Sequence, residues 1–244
     1  MKTVIITGAA SGIGLSATYL FLARGWRVVM VDRNENKKVF EEIERSYEPH
    51  VFFFKGDVSK DADMKKLHKF AKENLDAVDC IINNAGVITH GLLHSASEKE
   101  WDDIFNTDVK GIYLTTKYFI EDMIESGGGT IVNTASISGL HGDFEMPVYN
   151  AAKGAVVNLT RAMALDYAEY NIRVNSVCPG ATDTPFLNQE NIPKYTRVNP
   201  LKRICQPEEV AKAMYFLASN EGSYCNGVNL PVTGGLDVQT GQPK

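Results

Sequence analysis

Apolar positions along this chain follow two rhythms that take turns. The runs "KTVIITG", "WRVVMVD", "HVFFFKGDV", "VDCIINNAG", "GTIVNTAS", "IRVNSVCPG" and "GVNLPVTGG" are short, nearly continuous and rich in β-branched residues. Between them, apolar residues recur three and four positions apart, as Ile13, Ala17, Leu20 and Phe21 do until Gly25 stops them. The first rhythm predicts buried strands and the second amphipathic helices. Helices are expected over "ENKKVFEEIERSY", "ADMKKLHKFAKEN", about 98–125, about 148–170 and "PEEVAKAMYFLAS", the last with proline in its first turn. Strict alternation of this kind predicts an α/β fold: a doubly wound parallel sheet of Rossmann type in three α-β-α layers. No linker or repeat interrupts it, so residues 1–244 read as a single domain. The one long irregular stretch, 184–206, carries three prolines and reads as a lid.

Composition narrows the class. An apolar fraction of 44% with 23% charged residues is ordinary for a globular chain. A net charge of −5 argues against nucleic-acid and acidic-membrane partners. No apolar run reaches membrane-spanning length, and "MKTVIITG" passes straight into a strand pattern, so neither a span nor a signal peptide is expected. The four cysteines are far apart and form no CxxC pair, which fits reduced thiols in a cytoplasmic protein. "HGLLH" lacks the glutamate of a zinc-protease helix, so no metal site is expected.

Candidate chemistry gathers where strands end. "TGAASGIG" follows the first strand, and Gly8, Gly12 and Gly14 allow a tight turn and close approach of a pyrophosphate to a helix N-terminus. Asp32 ends the second strand, where a carboxylate accepts from ribose hydroxyls and repels a 2′-phosphate. NAD is therefore favoured over NADP, although Arg33 and Lys2 could partly neutralise that acid. Asp57, ending the third strand beside Val58, has two readings: a contact to an adenine edge, or a helix N-cap.

"YNAAK" puts Tyr149 and Lys153 four residues apart on one helical face. A lysine cation about 4 Å from a phenol, at an effective dielectric near 20, contributes ~4 kcal/mol, roughly 3 pKa units in favour of phenolate. That would bring a tyrosine towards proton exchange near neutral pH. Ser136, thirteen residues earlier at the end of the fifth strand, should open into the same crevice.

With "TGAASGIG", "NNAG", Ser136, "YNAAK" and "PGATDT" in this order, the chain resembles the short-chain dehydrogenase/reductase family over essentially its whole length. The resemblance implies hydride transfer between NAD and a secondary alcohol or ketone, with Tyr149 as general acid/base. It implies that Lys153 holds the nicotinamide ribose and that Ser136 binds the substrate oxygen. In the glycine turn it implies cofactor contacts from Ser11 and Ile13, with Asn84 at the cofactor floor. Pro179, Gly180, Thr182 and Thr184 fall in the segment that meets the nicotinamide. A homotetramer is expected, and His141, Phe144, Met146 and Phe186 are candidate substrate contacts. A 3-oxoacyl-carrier-protein reductase is the alternative enzyme, ranked lower because Ser11 stands where such enzymes carry a basic residue. A nucleotide-binding regulator with impaired turnover is the alternative outside enzymes.

The chain departs from that pattern at Asp108. Trp101 and Gly111 set the helical register, and family members commonly carry asparagine at this position, where it supports a local helix distortion. An ionised Asp108 about 7 Å from Tyr149 would cost phenolate ~2.4 kcal/mol, nearly 2 pKa units. A protonated Asp108 would mimic the amide. The expectation is an active enzyme with reduced activity or a raised pH optimum. Thr233, in "VTGG", is a second departure, expected to bear on subunit packing.

Overall fold

The structure is a computed structural model that describes residues 1–239. Seven parallel strands form one sheet: β1 (Thr3–Thr7), β2 (Arg27–Asp32), β3 (Val51–Lys55), β4 (Cys80–Asn83), β5 (Gly129–Thr134), β6 (Ile172–Pro179) and β7 (Asn229–Val232). Their order is β3-β2-β1-β4-β5-β6-β7, so the chain reverses direction across the sheet between β1 and β4. Open sheets of this type form a ligand crevice at that reversal, outside the carboxyl ends of the strands.

Helices α1 (Gly12–Ala23), α2 (Lys37–Tyr47), α3 (Asp61–Asn74), α4 (Glu98–Ile104), α5 (Lys110–Glu125), α6 (Ile137–Leu140), α7 (Pro147–Asp166), α8 (Ile192–Val198) and α9 (Pro207–Ala218) complete the layers. Alternate residues of each strand point to opposite faces. Ile5, Val29 and Val31 therefore pack with Met64, Leu67, Phe119 and Val156 on one face. Val4, Ile6, Val28 and Met30 pack with Ala17, Phe21, Val210 and Met214 on the other. The result is the Rossmann-type, three-layer single domain read from the sequence. Among the described residues, no helix is long and apolar enough to cross a membrane.

Three local features differ from the sequence reading. The helix expected over 98–125 is broken by a π-helical turn at Phe105–Val109, between α4 and α5. The stretch 184–206 is only partly irregular, because it contains a short 3₁₀ turn and α8. Pro193 suits the first turn of that helix, and at seven residues it is too short to show a clear period. The helix that bears Tyr149 stops at Asp166, and the remainder of 148–170 is a turn followed by a 3₁₀ segment.

Candidate active site

A cleft of about 360 Å³ runs along the carboxyl ends of the strands. At one end lies the turn after β1. Gly8 and Gly12 have left-handed backbone (φ 65° and 53°), and a Cβ on Gly8 would stand 2.9 Å from the Ala85 Cα. Asn84 braces this turn by donating from its side-chain amide to Thr7 O at 3.1 Å and Gly8 O at 3.3 Å. Ser11 caps α1 through backbone geometry alone, with no side-chain hydrogen bond, so the first N–H groups of the helix face the cleft unclaimed. Asp32 sits beyond them, accepting from Ala10 N at 3.1 Å and Asn34 N at 2.9 Å. An open helix terminus, a turn too tight for side chains and a carboxylate beyond it fit the phosphates and ribose of a dinucleotide.

Gly14 does not line the cleft. It packs against the turn, where a Cβ would fall 2.2 Å from Gly8 O. Asp57 does line the cleft, but it is not the N-cap of α3, which is Lys60; its carboxylate accepts from Ser59 N and Oγ. Val58 lies beside it and also supports α5, since a Cβ on Gly111 would meet it at 2.9 Å.

At the other end, Ser136, Tyr149 and Lys153 face one another across the cleft wall. Ser136 caps α6, its hydroxyl accepting from Ser138 N at 3.1 Å. Asn150, next to Tyr149 on α7, donates to Ser138 O and His141 O, both at 2.8 Å. These bonds hold the serine segment against the tyrosine helix. Lys153 is buried, with Nζ donating to Thr134 O at 2.8 Å and lying 5.6 Å from the centre of the Tyr149 ring.

Asp108 decides the charge of this end. The π-helical turn directs its carboxylate inward, where Oδ1 accepts from Val87 N at 2.9 Å. Oδ2 lies 2.9 Å from Lys153 Nζ, with the two side chains 0% and 5% exposed. Lys153 is the cationic partner of Oδ2, and the pair is buried on both sides. Burial pushes Asp108 above the usual carboxylate range, against the pull of Lys153 and the Val87 N–H. Burial works against the Lys153 ammonium too, but the Asp108 and Tyr149 charges outweigh it and hold the lysine above its ordinary value. The lysine therefore keeps its proton.

The expectation that Lys153 lowers Tyr149 towards neutrality needs correction. Burial raises the Tyr149 phenol above its ordinary value; Lys153 opposes the rise and Asp108 adds to it. The lysine charge that was to favour phenolate is shared with a carboxylate at ion-pair distance.

The segment 179–187 closes the cleft from above. Pro179, Gly180, Thr182, Thr184 and Phe186 all line it, and the Thr184 methyl would stand 3.2 Å from a Cβ on Gly12. Met146 lines it as well. His141 and Phe144 do not: both are exposed, Phe144 at 99%, because the loop 141–145 turns outward through a left-handed Glu145 (φ 57°). Asp143, on the same loop, reaches the cleft in their place.

The amino-acid sequence matches the short chain dehydrogenase family over residues 2–194. A meso-2,3-butanediol dehydrogenase of Serratia marcescens is 41% identical over 248 residues, covering 100% of this chain and 97% of that one. This chain belongs to the short-chain dehydrogenase family. Among solved structures, a 3-ketoacyl-(acyl-carrier-protein) reductase from Brucella melitensis complexed with NADH aligns with TM-score 0.90 and 33% identity, covering 97% of this chain and 98% of that chain. ElxO with NADP bound aligns with TM-score 0.92 and 30% identity, covering 98% and 99%. The short-chain dehydrogenase described here is thus an oxidoreductase of a family that binds nicotinamide dinucleotides, and both forms of the cofactor occur among its neighbours.

Several residues that shape the site in this short-chain dehydrogenase escaped the sequence reading. Thr7 accepts the backbone N–H groups of Asn84 and Ala85 at 2.9 and 3.0 Å, joining the ends of β1 and β4. Asn83, Asn133, Thr115 and Thr160 form a buried chain of hydrogen bonds behind Ser136, Tyr149 and Lys153, linking β4, β5, α5 and α7. Thr7 begins the stretch "TGAASGIG", which was a usable signal. The Asn83 and Asn133 pairing depends on strand neighbours 50 residues apart, and no local pattern announces it.

Proposed function

We propose that this oxidoreductase transfers hydride between NAD(H) and a small secondary alcohol or ketone, with Tyr149 as the general acid/base. The observation that carries the reading is the placement of Tyr149, Ser136 and Lys153 in one wall of the cleft whose far end holds the glycine turn and Asp32.

The nicotinamide, when bound, supplies or accepts the hydride at the reacting carbon. The Ser136 hydroxyl hydrogen-bonds the substrate oxygen and orients it towards the phenol. Tyr149, held above its ordinary value, is protonated at neutral pH and donates its O–H proton to that oxygen during reduction. In the reverse direction its phenolate takes the proton back. Lys153 stabilises the phenolate and binds ribose hydroxyls through Nζ. Gly8, Ser11, Gly12 and Ile13 hold the phosphates, Asp32 accepts from the adenosine ribose, and Asp57 with Val58 flanks the adenine. Asn84, Pro179, Gly180, Thr182 and Thr184 bound the nicotinamide. Asp32 favours NAD because its charge repels a 2′-phosphate.

The substrate end supports a small uncharged molecule. Ile88, Ile137, Met146, Phe186 and Leu187 supply an apolar lining, and Asp143 is its acid. An acid among apolar walls suits a ketone that carries a neighbouring hydroxyl, and the similarity to a meso-2,3-butanediol dehydrogenase favours the same class. The segment 184–206 acts as the lid. Assembly is as a homotetramer through α5 and α7, where Tyr113 and Leu165 are 55% and 80% exposed in the isolated chain.

A second reading, 3-oxoacyl-carrier-protein reduction, is favoured by the likeness to the Brucella reductase. Assaying acetoin, diacetyl and a 3-oxoacyl thioester with NADH and NADPH separates the two. Turnover of the small hydroxyketone with NADH, abolished in Tyr149→Phe, is expected. Turnover of the thioester alone would replace the first reading with the second, and full activity of Tyr149→Phe would end both.

A further inference from the structure

The least ordinary group in the molecule is the Asp108 carboxylate. It is wholly buried, and its two oxygens face one backbone donor, Val87 N–H, and one cation, Lys153. Acids in that situation normally find a full set of donors or give up their charge. Here the set is small: one backbone N–H and an ammonium 2.9 Å away.

We propose that Asp108 is a positioning residue of this site, the fixed counter-charge that holds Lys153 and makes the Tyr149 proton harder to remove. The inference rests on the reading that Tyr149 exchanges a proton with the substrate oxygen.

Counting charges gives the reason. With Tyr149 protonated, Lys153 and an ionised Asp108 sum to zero; forming phenolate then leaves one net negative charge in a buried site. An asparagine at 108 would leave a net positive charge before ionisation and zero after it. In a low-dielectric interior the second sequence of states is the easier. Asp108 therefore biases the site towards the protonated phenol, the form that donates to a carbonyl, and so towards ketone reduction at neutral pH.

Other charged or titratable groups near this end do not cancel the effect of Asp108. Asp143, on the loop 141–145, acts on Tyr149 in the same direction as Asp108 but from an exposed position, where solvent screens it. Cys178, on β6, faces Lys153 and is held neutral by burial. Ser136 contributes a hydroxyl that favours phenolate. Asp108 is thus the buried carboxyl of the cluster, paired with Lys153.

The geometry also explains why this acid is tolerated. Val87 N–H binds Oδ1, and a Cβ on Gly86 would come 3.0 Å from Oδ2, so the chain carries no side chain where the carboxylate needs room.

Asp108→Asn tests the proposal, because the amide oxygen still accepts from Val87 and the fold is preserved. Rates of alcohol oxidation and ketone reduction are measured against pH in both proteins. The low-pH midpoint of oxidation and the high-pH midpoint of reduction should both fall by about one to two pH units, the scale of one buried charge acting on another. A group that only supports packing would lower rates without moving either midpoint, and superimposable profiles would overturn the proposal. A second measurement needs no turnover: phenolate absorbance is titrated with and without Tyr149→Phe in each background, isolating one tyrosine of ten. The Tyr149 transition should occur at lower pH in Asp108→Asn; equal midpoints would overturn the inference. Because that titration does not depend on substrate, it separates failure of this inference from failure of the proposed activity.

Discussion

Asp32 accepts the Ala10 N–H at 3.1 Å, which joins the end of β2 to the turn after β1. Its carboxylate therefore sits at a fixed place beside the glycine turn, with Arg33 next to it in the cleft lining. Asp32→Ala should raise the KM for NAD at least tenfold, since a hydrogen bond to a charged group contributes about 1.5–3 kcal/mol. The same change should improve the use of NADP, as the repulsion is gone and Arg33 can meet a 2′-phosphate. The ratio of kcat/KM for the two cofactors measures both effects. An unchanged ratio would mean that Asp32 does not read the ribose.

Asn150 ties the serine segment to α7 through two 2.8 Å bonds. Asn150→Ala should lower kcat by roughly tenfold or more, the cost of about 1–2 kcal/mol of lost positioning. Dinucleotide binding, followed by fluorescence, should stay within about twofold of the parent. A parallel loss of binding would place the damage elsewhere in the fold.

Gly14 shows where helix and turn touch. Gly14→Ala would force a methyl to 2.2 Å from Gly8 O, so α1 must shift. A loss of about 1–3 kcal/mol in stability is expected from overpacking, together with weakened cofactor affinity. Gly142→Ala, where nothing lies within 4 Å, is the control and should leave denaturant midpoints unchanged.

Glu209 binds the Arg203 guanidinium through both carboxylate oxygens, at 2.6 and 2.7 Å, and accepts from Gln206 N at 2.9 Å. These donors pull its carboxyl from 4.5 down to about 2. A lowered folded-state value means that the stabilisation is present above about 4.5 and lost as pH falls towards 2. The pair is solvent-exposed, so the effect should stay below about 1 kcal/mol. Melting temperature against pH should fall less steeply over that window in Glu209→Gln than in the parent. Identical slopes would show that the guanidinium contact contributes nothing to folding.

The sheet was legible because parallel strands covered on both faces are apolar without interruption, and all seven runs stood out. The glycine turn and the tyrosine–lysine pair were legible because their spacing is local. Asp108 was visible as a departure from the family pattern, but its partner lies 45 residues away on another helix, and only the folded chain brings Lys153 to it. The π-helical turn that aims it inward has no periodic signature of its own. The loop 141–145 is exposed and includes a left-handed glutamate, a residue type that does not advertise that conformation. His141 and Phe144 were misread as pocket residues for that reason, while Asp143 between them was passed over.

The threonine of "VTGG" acts within the chain. Its carbonyl accepts from Asn199 at 2.8 Å and its hydroxyl donates to Asp237, so it fastens Asn199 to the residues after β7.

The interlocked amides behind the tyrosine–lysine pair constrain how this protein can change. Asn83 donates to Asn133, Asn133 to Thr160, and Thr115 to Asn83, so each member answers a demand made by another. Replacing any one by an aliphatic residue strands its neighbours in a dry interior, whereas replacing several together removes the demand along with the supply. Accumulating substitutions must therefore cross a stretch of poorly folding variants or arrive as a set.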